Sequence, residues 1–260
     1  MPVWFITGCS SGIGRGTAEA VLRRGDSVVI TARDVSKIQW LAEKYPDTAF
    51  PVELDVTDNE SIDRAVKISL ERFGKIDVLV NNAGFGYRSQ VLDGDMKIID
   101  ALFRTHVFGP FELIRRIVPA MKERGEGAVI NISSIGGIRS APNNGWYSAS
   151  KGALEMMSDA LYKELKGSGV RVLIVEPGAF RTSFYTSIKG ASAANETGQP
   201  GDHYRAGEII AEIVGREDCP ERLLLGSDAV RIITGELESH LEEVRKYAAL
   251  STKSDYQEGE

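Results

Sequence analysis

The chain has 260 residues, of which 42% are hydrophobic and 26% charged, and its formal net charge is −6. A chain of this length and composition can bury a globular core without disulfides or metal ions. Its two cysteines, Cys9 and Cys219, lie far apart without CxxC or Cys/His spacing. This spacing argues against a disulfide scaffold or a metal site and favours a reducing compartment. An acidic chain without a basic run is not expected to bind nucleic acid or anionic lipid.

The amino-terminal residues predict no targeting segment. The stretch MPVWFITGCSSG lacks a charged n-region, an apolar h-region and a small-residue cleavage site. No apolar run approaches the ~18–20 residues that a membrane span requires. We therefore expect a cytoplasmic protein without a membrane span.

Apolar runs of strand length alternate with stretches of helical period. The runs are dense in Val, Ile and Leu, which is typical of strands covered on both faces. Repeated strand–helix–strand units predict a single-domain, doubly wound Rossmann-type α/β fold, with helices on both faces of a mostly parallel, seven-stranded sheet. The predicted strands are 3–7, 27–32, 49–54, 77–81, 128–133, 171–175 and 222–225.

Two segments depart from this alternation. Residues 183–205 are small, polar and glycine-containing with aromatic residues near both ends, and such a long connection predicts a substrate lid. Residues 251–260 are polar and are expected to form a frayed tail. No other change in composition divides the chain, so residues 1–260 are interpreted as one dinucleotide-binding and catalytic domain.

A glycine-rich turn joins the first strand to the first helix. Glycine lets the backbone turn sharply and approach a pyrophosphate, which the helix N-terminus stabilises. The alternative is a glycine-rich turn that binds nothing, and the absence of Gly-Lys-Ser/Thr argues against a nucleoside triphosphate site. The cofactor-binding candidates of this turn are Gly8, Ser10, Ser11, Gly12, Ile13 and Gly14.

The end of the second strand favours NADP over NAD. A basic side chain there accommodates a 2′-phosphate, whereas an acidic one accepts a hydrogen bond from the 2′-OH of NAD. Arg33 provides the basic group, and Asp34 is interpreted as the cap of the following helix. The alternative for Arg33 is a solvated surface charge.

A Tyr-x-x-x-Lys pair places both side chains on one face of a helix. The lysine ammonium favours the phenolate form of the tyrosine. Such a pair can take a proton from an alcohol or give one to a nascent alkoxide. The spacing occurs three times, at Tyr147/Lys151, Tyr162/Lys166 and Tyr185/Lys189. Tyr147 begins a helix at the ligand-binding edge of the sheet, whereas Tyr162 lies about 22 Å further along it at 1.5 Å per residue. Tyr185 falls in the predicted lid. We therefore select Tyr147 and Lys151.

The set of motifs resembles the short-chain dehydrogenase/reductase family over about the first 185 residues. It consists of the glycine-rich turn, Asn81-Asn82-Ala83-Gly84, Ser134, Tyr147 and Lys151. The segments TGCSSGIG, TARD and EPGAFRT are similar to those of the family branch that includes 17β-hydroxysteroid and retinol dehydrogenases.

This resemblance implies roles for individual residues. Tyr147 becomes the general acid/base, Lys151 lowers its pKa and holds the nicotinamide ribose, and Ser134 orients the substrate oxygen, with Ser133 as the alternative serine. The resemblance further implies a homodimer or homotetramer that acts on a small molecule. The other cofactor-binding residues that it implies are Asp55, Asn82, Ala83, Gly84, Gly178 and Thr182.

His106 departs from the family pattern, which usually has asparagine there to build a water relay from the lysine. Pro110 has no N–H, so the carbonyl of residue 106 lacks its usual helical partner and can hold the relay water. We hypothesise that His106 keeps this backbone role and adds a titratable side chain. The alternative is a hydrogen-bonded core histidine.

The predicted function is hydride transfer between NADP(H) and a carbonyl or secondary alcohol. Aromatic residues near the motifs favour a lipophilic steroid-, retinoid- or aryl-ketone-like substrate. Two other functions remain open: an NADP(H)-sensing protein without catalysis, and a nucleotide-sugar epimerase or dehydratase, which generally needs a longer carboxyl-terminal part. The aromatic candidates are Phe85, Tyr87, Trp146, Phe180, Phe184 and Tyr185.

Overall fold

The computed structural model describes residues 1–185, 188–190 and 198–256. Its seven strands form one all-parallel sheet in the order β3-β2-β1-β4-β5-β6-β7, so the predicted fold is confirmed. The strand order reverses direction beside β1, which creates a crevice between β1 and β4 at the carboxyl ends of the strands. The strands are β1 (Val3–Ile6), β2 (Ser27–Ala32), β3 (Ala49–Glu53), β4 (Val78–Asn81), β5 (Gly127–Ile132), β6 (Val170–Pro177) and β7 (Arg222–Leu225).

Helices connect successive strands and cover both faces of the sheet. They are α1 (Gly12–Arg23), α2 (Gln39–Lys44), α3 (Asn59–Phe73), α4 (Met96–Phe103), α5 (Gly109–Arg124), α6 (Gly145–Glu164), α7 (His203–Ile213) and α8 (Ser227–Ser251). A π-helical stretch, Arg104–Phe108, joins α4 to α5. Among the helices of the described residues, none is long and apolar enough to cross a bilayer.

Alternate residues of each central strand enter two different cores. In β1, Trp4 and Ile6 pack on the side of α1 and α7, whereas Phe5 packs on the side of α3 and α5. Because side chains alternate along a strand, a sheet covered on both faces requires apolar residues at every position. This requirement explains the continuous apolar runs of the sequence.

The carboxyl-terminal end of the chain is more helical than expected. The predicted tail begins inside α8, and one 3₁₀ turn, Thr252–Ser254, follows that helix. Residues 257–260 of the predicted tail lie outside the described residues.

Helices α1 and α7 cross with their backbones in close contact. A Cβ added to Gly16 would lie 2.0 Å from the carbonyl oxygen of His203, and one added to Gly207 would lie 2.2 Å from the carbonyl carbon of Gly16. Both positions therefore require glycine for steric reasons.

We expect Gly16→Ala to lower the free energy of unfolding by about 1–3 kcal/mol, because the added methyl group forces the two helices apart. Gly235→Ala is the matched control, since Gly235 lies inside α8 with nothing within 4 Å of an added Cβ. The control is expected to raise stability by up to about 1 kcal/mol through helix propensity. Urea unfolding of both variants measures the difference, and equal effects would contradict the proposed crowding.

Candidate active site

A cavity of about 1020 Å³ runs along the carboxyl edge of the sheet. It is lined by the turns that follow β1 to β6, so the sheet topology brings together residues that are distant in sequence. The predicted residues that line it are Gly8, Ser10, Ser11, Gly12, Ile13, Arg33, Asp55, Asn82, Ala83, Gly84, His106, Ser134, Tyr147, Lys151, Gly178 and Thr182.

The glycine-rich turn has the shape that a phosphate group requires. Gly8 and Gly12 have φ angles of 73° and 62°, and a Cβ on Gly8 would lie 3.0 Å from Cα of Ala83. Helix α1 begins at Gly12, and the side chain of Ser11 does not cap its first turn. Uncapped N–H groups and the positive end of the helix dipole therefore face the cavity, which fits the pyrophosphate of a dinucleotide.

Gly14 has a different role from the other glycines of this turn. It does not line the cavity, and a Cβ there would lie 2.2 Å from Nδ2 of Asn82. Its missing side chain lets α1 pack closely against the turn after β4, and its contact with the cofactor stays a prediction.

The turns after β1 and β4 are held together by Thr7 and Asn82. The hydroxyl of Thr7 accepts hydrogen bonds from the N–H groups of Asn82 (2.8 Å) and Ala83 (2.9 Å). The Asn82 amide donates to the carbonyls of Thr7 (2.8 Å) and Gly8 (3.1 Å). Asn82 therefore shapes the floor of the cavity, and its contact with the cofactor stays a prediction.

The adenosine end of the cavity contains Arg33 and Asp55. The Arg33 side chain is exposed and makes no hydrogen bond or ion pair with the described residues. Asp34 accepts hydrogen bonds from N–H (3.1 Å) and Oγ (2.6 Å) of Ser36, as its predicted capping role requires. Asp55 accepts from N–H (2.9 Å) and Oγ1 (2.7 Å) of Thr57.

Tyr147 lies in the first turn of α6, and its side chain is buried beside Ser134. Burial raises the pKa of Tyr147 to about 12, although the nearby Ser134 hydroxyl acts in the opposite direction. Burial therefore raises the pKa of Tyr147, whereas the sequence predicts that Lys151 lowers this pKa. Oγ of Ser134 also accepts a hydrogen bond from the N–H of Gly136 (3.0 Å), which fixes its position near the phenol.

Lys151 lies one turn further along α6, and its ammonium group is buried. Nζ donates a hydrogen bond to the carbonyl of Ile132 at the end of β5 (2.9 Å). Burial lowers the pKa of Lys151 to about 8, while the charge of Glu155 acts to raise it. The lysine is thus held at the end of β5 by one backbone contact.

Two other Tyr-x-x-x-Lys pairs occupy different places. Tyr162 lies in the second half of α6, far from the cavity, in agreement with its predicted exclusion. Tyr185 and Lys189 line the cavity outside any regular helix, and Lys189 Nζ lies 4.7 Å from the centroid of the Phe85 ring.

His106 is fully buried in the π-helical stretch, and its ring contacts the edge of Tyr147 with a centroid distance of 5.7 Å. Nε2 accepts a hydrogen bond from the N–H of Phe85 (3.2 Å), so Nδ1 carries the proton and donates to Oγ of Ser150 (2.9 Å). Burial and the charge of Lys151 hold the pKa of His106 well below its ordinary value. This geometry favours the alternative of a neutral core histidine.

A buried charge cluster supports α6 below Lys151. Arg222 of β7 contacts Glu155 of α6 and lies 3.2 Å from Oε1 of Glu176 in β6. Burial and the nearby charge of Glu155 raise the pKa of Glu176 to about 7. The cluster ties α6 to the last two strands of the sheet.

Aromatic side chains form the wall beside Tyr147. The ring of Phe184 lies edge-on to Tyr147 at 5.9 Å, and Tyr185 lies 5.7 Å from Phe184. Trp146 does not line the cavity and donates instead to the carbonyl of Val91 (3.1 Å). The predicted aromatic residues that do line it are Phe85, Tyr87, Phe180, Phe184 and Tyr185.

The described part of the predicted lid is attached at two places. Lys189 exchanges backbone hydrogen bonds with Gly86 and Arg88, and Gly201 does so with Ala179 and Arg181. Residues 203–205 belong to α7 rather than to a loop, and residues 186–187 and 191–197 lie outside the described residues.

Asp228 is a site residue that sequence reasoning missed. It lines the cavity from the first turn of α8, and its Oδ2 accepts a hydrogen bond from the N–H of Ala179 (2.8 Å). A Cβ on Gly178 would lie 2.4 Å from Oδ1 of Asp228, so this glycine makes room for the carboxylate. No local motif signals this contact, because it joins residues about fifty positions apart.

Comparison with known proteins agrees with this geometry. Residues 2–192 match the family model described as short chain dehydrogenase. "Oxidoreductase BOA17" of Botryotinia fuckeliana is 34% identical over 246 residues, which cover 88% of this chain and 90% of that protein. The chain belongs to the short-chain dehydrogenase family.

Solved structures of the family have the same fold. A short-chain dehydrogenase from Streptomyces avermitilis is 42% identical, with a TM-score of 0.92 and coverage of 98% of this chain and 99% of that one. An alcohol dehydrogenase from Thermococcus sibiricus, complexed with 5-hydroxy-NADP, is 26% identical with a TM-score of 0.78, covering 86% and 96% of the two chains. Other similar structures hold NADP or NADH. The chain is thus an oxidoreductase with a nicotinamide dinucleotide site.

We expect His106→Asn to leave the pH–rate profile unchanged, because a neutral imidazole with both nitrogens hydrogen-bonded does not titrate during the reaction. The measurement is kcat and kcat/KM as functions of pH for both proteins. Loss of an inflection near pH ~6.5 in the variant would instead support a titrating relay through His106.

Proposed function

We propose that this enzyme transfers a hydride between NADP(H) and a carbonyl or secondary alcohol, with Tyr147 as the general acid/base. The observation that carries the proposal is the proximity of Ser134 and Tyr147, which both lie against Gly136, in one cavity with buried Lys151 and the glycine-rich turn. Hydroxyl groups at this position can hold a substrate oxygen while its charge changes.

Ser134 and Tyr147 handle the proton of the reaction. A bound nicotinamide supplies the hydride in the reductive direction. The Ser134 and Tyr147 hydroxyls donate hydrogen bonds to the carbonyl oxygen, and the phenol gives its proton to that oxygen as negative charge develops there. A phenol with a pKa of about 12 is protonated at neutral pH, which suits this role as an acid. The reverse reaction returns the proton to the phenolate.

Lys151 stabilises the phenolate that remains. Its Nζ has one described partner, the carbonyl of Ile132, so other donor positions of an ammonium group are available for a ribose hydroxyl. A buried positive charge lowers the energy of a nearby phenolate more strongly than an exposed one does. Lys151 therefore both binds the cofactor and assists the acid/base step.

The cofactor preference is for NADP(H) rather than NAD(H). Arg33 lines the adenosine end of the cavity with an exposed guanidinium, while Asp34 is engaged in capping and does not line the cavity. A guanidinium can hold a 2′-phosphate through charge-assisted hydrogen bonds. No acidic side chain in this turn competes for the ribose.

The substrate is a lipophilic ketone or alcohol, of the steroid-, retinoid- or aryl-ketone-like class. The wall beside Tyr147 contains aromatic rings and the aliphatic Ile188, and such a surface binds apolar groups. The part of residues 183–205 that precedes α7 acts as its lid. The protein works in the cytoplasm, where its two free cysteines stay reduced. We also expect a homodimer or homotetramer from the family.

Tyr147→Phe is expected to lower kcat by about 10²–10⁴-fold, because the proton donor is lost, while NADPH affinity stays unchanged. NADPH and NADH oxidation with steroids, retinoids and aryl ketones measures activity, and cofactor fluorescence measures binding. Tyr162→Phe is the matched control, since that tyrosine heads a similar pair outside the cavity. Tight NADPH binding without turnover by the unmodified protein would support a sensing function instead.

Arg33→Ser is expected to raise KM for NADPH by about 10–100-fold, which corresponds to the ~1.5–3 kcal/mol of a hydrogen bond to a charged group. KM for NADH should be unchanged, because NADH has no 2′-phosphate. Lys37→Ser removes an exposed cation nearby that does not line the cavity, and serves as the control. An equal change for both cofactors would contradict phosphate recognition by Arg33.

A further inference from the structure

Helix α8 extends beyond the body of the protein. Its first turns are anchored, because Ala229 and Ile233 are buried and Glu236 lies 3.8 Å from Nε of Arg139 at the cavity. Every residue from 237 to 250 is exposed. This stretch, the projecting segment, is about 21 Å long at 1.5 Å per residue. The projecting segment continues the anchored turns of α8 and has no packing against the rest of the described chain to cover its apolar side chains.

The projecting segment carries a narrow apolar stripe. Leu237, Leu241 and Val244 are 55%, 47% and 66% exposed, and Ala248 continues their alternating spacing of four and three residues. This spacing is typical of the two apolar positions of a coiled-coil heptad, in which one helix packs against another. The stripe therefore fits a second helix.

The charges of the projecting segment are divided along its length. Its first half is acidic, with Glu238, Glu242 and Glu243, whereas Arg245 and Lys246 follow in the second half. An identical helix running antiparallel places the acidic half of each copy beside the basic half of the other. A parallel arrangement would place like charges together, which is unfavourable.

We propose that residues 237–250 pair antiparallel with the same residues of a second copy of this chain. The pair has two-fold symmetry, so each contact occurs twice. Leu241 packs opposite Val244 of the second copy, and Leu237 packs opposite Ala248. Glu238 and Arg245, seven residues apart on the same flank of the stripe, form the ion pairs across the interface.

The family resemblance implies oligomer contacts through the helices that contain Ile114 and Leu154, which are α5 and α6, and the proposed interface lies on a different helix. The charges of the projecting segment also argue against its binding to a membrane. A helix that binds an anionic lipid surface carries mainly Lys and Arg beside its apolar face, whereas this segment has more acidic than basic residues. A second copy supplies both the apolar stripe and the opposite charges.

The association is tested with Leu237→Glu/Leu241→Glu in the full chain. Analytical ultracentrifugation should show half the mass of the unmodified protein, because the two leucines that the interface would cover are replaced by charges. The matched control is Ser239→Glu/Leu250→Glu, which adds two acidic groups on the outer side of the same helix and should keep the original mass. Equal masses for all three proteins would overturn the proposal.

The orientation is tested by exchanging the paired charges. Glu238→Arg and Arg245→Glu should each weaken association, and the double variant should restore it, because the ion pair is then reversed. Failure of the double variant to restore association would overturn the antiparallel pair.

The lipid alternative is tested by flotation with vesicles of neutral phosphatidylcholine and of phosphatidylcholine with phosphatidylserine. No binding of the unmodified protein is expected. Vesicle binding that disappears in Leu237→Glu/Leu241→Glu, with no change in mass in solution, would assign the stripe to a membrane and overturn the proposal.

Discussion

The contact between Thr7 and Asn82 is the constraint on which the cavity depends. Strands β1 and β4 lie side by side where the strand order reverses, and the turns that follow them diverge to opposite faces of the sheet. The hydroxyl and carbonyl groups of Thr7 bind the backbone and amide of Asn82, so the two turns keep a fixed separation. The glycine-rich turn on one side and the Tyr147 region on the other are thereby positioned relative to each other.

Burial dominates the electrostatics of the site. It raises the pKa of Tyr147 to about 12 and lowers that of Lys151 to about 8, so both groups are driven toward their neutral forms. Sequence reasoning weighed only the attraction between an ammonium and a phenolate, and omitted the cost of removing both from water. Glu155 acts to keep Lys151 charged, and is itself held by Arg222. Glu155 and Arg222, which do not line the cavity, therefore influence the charge of Lys151, which does.

Much of the fold could be predicted because its signals are local. Apolar runs fix the strands, and glycines mark the turn that needs positive φ angles. Strand β6 is longer than predicted, since Glu176 and Pro177 look like a strand end but pair with Leu224 and Leu225 of β7. The contact of Glu176 with Arg222 explains its burial within a strand. Contacts of this kind, like that of Asp228 with the turn after β6, join residues that are distant in the chain. They therefore produce no local pattern in the sequence.

Helix α8 connects the cavity to the proposed interface. Asp228 and Ile232 line the cavity from its first turns, and Glu236 pairs with Arg139, which also lines the cavity. The apolar stripe begins at the next residue, Leu237. A second copy bound there restrains the direction of a helix whose other end contacts Ala179 and the predicted cofactor-binding residue Gly178. Self-association and the shape of the cavity are in this way mechanically linked through a single helix.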